Sequence, residues 1–153
     1  MPASLIARKA ALDLVRAKFD GKPLDWGQYD CAKLALACAR ALGHKIRISP
    51  FGSYKTPQGA TAALARRGFS DLPELIDSLG FERIPPASAL PADIIGFLPQ
   101  PDPDAPLPGD HFTSLTLNAG NGRVFGFHAG TGICCTVQPD YTGALRPPIA
   151  WRL

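Results

Sequence analysis

Residues 112–128 read FTSLTLNAGNGRVFGFH, two runs rich in apolar residues on either side of Asn121-Gly122. An Asn-Gly pair in that setting is the strongest short-range signal for a β-hairpin, because both turn residues must adopt positive φ. The pattern predicts one strand over residues 112–118 and a second over 123–128. With a two-residue turn, Gly120 pairs with Arg123 and His128 falls opposite Leu115. His111, Thr113, Leu115 and His128 then share one sheet face.

Working outward, residues 92–98 (ADIIGFL), 133–137 and 149–153 read as three further short strands, an antiparallel meander. Residues 99–110 (PQPDPDAPLPGD) hold five prolines, so this stretch is an exposed loop that cannot join a central ladder. Upstream the period changes. Leu5, Leu12, Val15 and Phe19 mark one face of a helix ending near Asp20-Gly21. Asp30 is an N-cap for a helix over 31–42 that Gly43 stops, with Cys31, Leu34, Ala35, Cys38 and Leu42 on one stripe. Thr56-Pro57 opens a helix to Arg67, and Asp71 to Leu79 makes a fourth. Helices first and strands after define an α+β class. Residues 1–153 form one domain, with a mainly helical half over 1–80 and an antiparallel β half over 81–153.

The chain has 153 residues and 16.3 kDa, the size of one domain. Its net charge is +3 and its basic residues are scattered, which argues against a nucleic-acid partner. No apolar run approaches the roughly eighteen residues of a membrane span. The first twenty residues read as an amphipathic helix rather than a secretory signal, so synthesis in a cytoplasm is expected. Cysteines at 31, 38, 134 and 135 do not make a disulfide framework, and reduced thiols are expected. Without C-x-x-C spacing, a phosphate-binding glycine loop or a Gly-x-Ser-x-Gly elbow, no metal or cofactor is expected.

Cys31 carries the chemistry. It stands at the first turn of a helix, where free N–H groups and the helix dipole favour a thiolate. As a small core residue it would resemble Cys38 one repeat on, so both readings stay open. A thiolate needs a base, and His111 and His128 are the candidates, each equally at home as a structural histidine at a strand end. His44 follows Gly43 and reads as a surface or capping residue. Asp30 either orients a histidine or simply caps the helix. Trp26 and Tyr29 either line a groove beside Cys31 or cover the end of the first helix.

Trp26-Gly27-x-x-Asp30-Cys31 at a helix start resembles the nucleophile segment of NlpC-type papain-like cysteine peptidases. The Gly-Asp-aliphatic strand of those proteins is matched by Ala92-Asp93-Ile94-Ile95, with glycine replaced. Aligning the Asn121-Gly122 turn puts Ser114, not a histidine, where their general base stands. His111 lies three residues earlier, and His128 falls at the position of the third polar residue. Across nearly its whole length the chain resembles a group of phage and prophage tail proteins related to that superfamily. Tyr54, Gly59-Ala60 and Ala150-Trp151-Arg152 carry this likeness.

The resemblance implies an NlpC-type papain-like fold, helices packed on a small antiparallel sheet, in a tail-tip or baseplate component. It implies tail proteins as partners, peptidoglycan as a target and the virion tail as the location. Two functions follow. In one, Cys31 cleaves a stem-peptide amide with His111 or His128 as base. In the other, the subunit is catalytically inactive and uses the fold for protein contacts.

Overall fold

Side-chain caps set the starts of the four α-helices among the described residues. The computed structural model describes residues 3–46, 53–100, 113–128, 130–142 and 144–153. Helix α1 (Leu5–Phe19) begins where the Ser4 hydroxyl accepts from the Ala7 N–H, and α2 (Cys31–Ala41) where the Asp30 carboxylate accepts from Lys33. Thr56 does the same for α3 (Pro57–Arg66), and Asp71 for α4 (Leu72–Ser78). The predicted helices hold to within a residue or two at their ends. One position on α1 changes. Leu5 is 62% exposed, and the inward stripe is Arg8, Leu12, Val15 and Phe19.

Among the described residues the β half has six strands: β1 (Glu82–Ile84), β2 (Ile94–Phe97), β3 (Ser114–Gly120), β4 (Arg123–Phe127), β5 (Cys134–Val137) and β6 (Ile149–Arg152). Their order is β1-β6-β2-β3-β4-β5 and every pairing is antiparallel. The expected meander covers β2 to β5 only. The last strand returns to sit between β2 and the short, unpredicted β1. Residues 101–110 of the proline-rich stretch lie outside the described residues, as do His111 and Phe112.

The hairpin turn forms as read, with φ +55 at Asn121, +73 at Gly122 and Gly120 opposite Arg123. The register beyond it does not. A bulge between Asn118 and Gly120 pairs Asn118 with Val124 and Leu117 with Phe125. Continued down the strands, this register puts His128 opposite Ser114 rather than Leu115. The predicted shared face of Thr113, Leu115 and His128 is therefore corrected by one residue.

One face of the sheet carries Ile94, Leu115, Leu117, Phe125 and Trp151 against Leu12, Val15, Phe19, Leu34 and Cys38 of α1 and α2. A smaller cluster of Ile95, Val124 and Ala150 forms separately. Arg8 and Asp93 make a fully buried ion pair at 2.7 Å. Arg8 also donates to the carbonyls of Ala3, Pro91 and Leu153. Asp93 accepts from the N–H groups of Leu90 and Leu153 and from Arg152 Nε. A buried pair is tolerated when its remaining donors and acceptors are met, as they are here. Ala92, just before it, has φ +73, a conformation that glycine adopts without strain.

Candidate active site

The loop before α2 is built around the Asp30 carboxylate. Oδ1 accepts from Lys33 N at 2.9 Å, and Oδ2 from Gly27 N at 2.8 Å and from the Tyr54 hydroxyl at 2.7 Å. Asp25 and Tyr29 close the same loop by exchanging backbone hydrogen bonds. Gly27 has φ +88, and a Cβ there would lie 1.8 Å from the Tyr54 carbonyl oxygen, so only glycine fits. Trp26-Gly27-x-x-Asp30-Cys31 is thus a clamp on Tyr54 that fixes the first turn of α2. In the sequence Tyr54 carries part of the likeness to tail proteins but shows no link to this loop. The close approach at Gly27 is the signal that its position in the motif carries.

Cys31, half-buried, sits on that turn with Sγ 4.0 Å from the Thr113 carbonyl oxygen. Burial pushes its thiol up to about 12; the backbone N–H of Leu115 opposes the rise and the neighbouring Asp30 charge adds to it. The lowering expected from the helix start is outweighed, because desolvation penalises the thiolate more than nearby N–H groups favour it. No histidine among the described residues hydrogen-bonds Cys31.

Cys31, Asp30, Trp26, Thr113, Ser114 and His128 line one cleft of about 340 Å³ between α2 and the ends of β3 and β4. His128 is half-buried just past β4, and its Nε2 lies 3.1 Å from the Cys135 carbonyl oxygen. A carbonyl only accepts, so Nε2 is the donor in this bond and, in the neutral ring, the lone pair is on Nδ1. Ser114, at the start of β3, brings only a hydroxyl to the cleft. Tyr29 stacks edge-on against Phe19 at 5.7 Å, covering the end of α1. His44 packs edge-on against Phe81. Cys38 and Cys134 are buried, and burial raises both thiols to about 12. The structure therefore gathers Cys31, Asp30, Trp26, Ser114 and His128, leaves Tyr29 and His44 to packing, and does not describe His111.

Four helices over a six-stranded antiparallel sheet make an α+β fold of the kind seen in NlpC proteins. The chain is similar to NlpC1 from Trichomonas vaginalis, with a TM-score of 0.56 and 18% identity over 99% of this chain. It is likewise similar to NlpC2 from the same organism, with a TM-score of 0.55 and 16% identity over 95% of this chain. It spans 45% of the length of each. The chain belongs to the family described as a domain of unknown function, DUF6950, which matches residues 6–140. No curated protein matches it.

Proposed function

We propose that the cleft is the site of a thiol hydrolase that cleaves amides in peptidoglycan stem peptides. The reading is carried by one observation: Cys31 and His128 line the same cleft, and the Cys135 carbonyl holds His128 with Nδ1 as its basic nitrogen. Cys31 Sγ attacks the carbonyl carbon as His128 Nδ1 takes the thiol proton. The N–H groups of Cys31 and Ala32, in the first turn of α2 ahead of the Lys33 N–H that Asp30 caps, receive the developing oxyanion. The C–N bond then breaks, the proton passes to the leaving amine, and water hydrolyses the thioester. The resemblance to tail proteins supports a place at a phage or phage-derived tail tip.

A second reading, a catalytically inactive tail subunit, is favoured by the raised thiol and by Ser114 at the base's position. Digestion of purified peptidoglycan separates the two. The wild-type protein should release new amine ends detectable by mass spectrometry. Cys31→Ala should release none, and His128→Ala should lose about 10²–10⁴-fold in rate. An unaltered rate in His128→Ala with loss in His111→Ala would move the base to His111. No products from folded wild type would leave the structural subunit as the function. Proteomics of purified tail particles tests the location, which fails if the chain is absent from them.

A further inference from the structure

Cys31 borders two cavities rather than one. Besides the cleft toward the sheet, a pocket of about 30 Å³ opens between α2, α3 and α4, with Leu36, Ala60, Ala63, Leu64 and Leu72 in its wall. Trp26, Asp30 and Cys31 line both cavities, so Cys31 stands on the border of each. The polar groups around the pocket are engaged with each other. Tyr54 donates to Asp30, and Lys33 Nζ lies 5.7 Å from the centre of the Tyr54 ring. The pocket therefore favours an apolar occupant. A volume of that size has room for a small apolar group such as a methyl.

We propose that this pocket is the subsite for the side chain of the acyl residue that Cys31 attacks, and that it takes an alanine-sized group. The proposal rests on the hydrolase reading above. Glycine would leave the pocket empty, while valine or leucine would have to displace Leu64 or Leu72 from a close-packed wall. One methyl in such a pocket is worth about tenfold or more in discrimination.

The test uses chloromethyl ketones of N-acetylglycine, N-acetylalanine, N-acetylvaline and N-acetylleucine, with chloroacetamide as a reference that lacks a side chain. In each case sulfur bonds to the methylene carbon, chloride leaves and the thiol proton passes to solvent. Labelling rates at Cys31 are read by peptide mass spectrometry and divided by each probe's rate with free glutathione. The alanine probe should label about tenfold faster than the glycine and leucine probes. Leu64→Ala, checked for folding by circular dichroism, should shift the preference toward valine or leucine. Should that variant not fold, the wild-type series still decides. Equal normalised rates with Cys31 labelled would overturn the subsite and leave the hydrolase reading standing. No labelling of Cys31 by any probe, chloroacetamide included, would overturn both.

Discussion

Asp30 serves two demands that pull against each other. As the cap of α2 it must be a strong acceptor, and it takes three hydrogen bonds, from Gly27, Lys33 and Tyr54. As the neighbour of Cys31 its charge adds to the burial that keeps the thiol protonated. Asp30→Asn should separate these roles. Its carbonyl can still cap Lys33, but its NH₂ faces the Gly27 N–H, which loses its acceptor at a cost of about 1–3 kcal/mol in chemical denaturation. Meanwhile the charge that disfavours the thiolate is gone. The pH at which iodoacetamide begins to modify Cys31 should therefore fall from its raised position, with the other cysteines as internal comparison. An unmoved profile would show that burial alone holds the thiol. Asp30 was legible as a cap because capping is a local pattern. The thiol's raised pKa was not, because it arises from what β3 brings over the helix start.

Between the strands, the hairpin shows how far a turn signal reaches. Asn121-Gly122 sets the turn and the first pair, and no more. The bulge that follows has Gly120 at φ +86, and the Asn118 side chain spans it, accepting from Gly120 N and donating to the Ala89 carbonyl. That bulge sets His128 opposite Ser114, and both line the cleft at the strand ends; without it His128 would share the helix-packed face of Leu115. Gly122 has φ +73 with open space where a Cβ would stand. Gly122→Ala should therefore cost only its backbone strain, about 1–2 kcal/mol, lowering Tm while leaving Cys31 alkylation unchanged. A change in Cys31 reactivity would mean the turn controls the register as well. β1 escaped prediction for a related reason. Three residues, Glu82–Ile84, carry no period of their own and become a strand only because β6 lies alongside.

At the scale of the molecule, Arg8 and Asp93 tie α1, the turn before β2 and the final strand into one buried network. Asp93→Asn would leave the Arg8 charge buried without its partner, a loss of about 3–5 kcal/mol. Native domains hold only about 5–15 kcal/mol, so the urea midpoint should fall steeply or the protein should not fold. Arg8→Met with Asp93→Asn, which removes both charges, should recover part of that loss. A double variant no better than Asp93→Asn would show that the hydrogen bonds of Asp93, and not charge balance, are what matter. The division into helices then strands was legible from the change in period near residue 81. The network was not, because Arg8 lies on a stripe otherwise apolar and its partner is distant in sequence.

The sheet order has a consequence for how the chain is made. Ile84 meets Ala150, and Ile94 meets Trp151, only when the last strand slides between two strands synthesised long before. Contacts so remote in sequence slow folding, since a long loop must close before they form. On a ribosome, α1, α2 and the β2 to β5 meander emerge first, with the edge of β2 bare and Asp93 lacking its bond from Leu153. Until residues 149–152 leave the exit tunnel, that edge is open to pairing with another nascent chain. Emergence of β6 from the ribosome, rather than growth of the helical half, therefore sets the moment when this sheet becomes safe from its own copies.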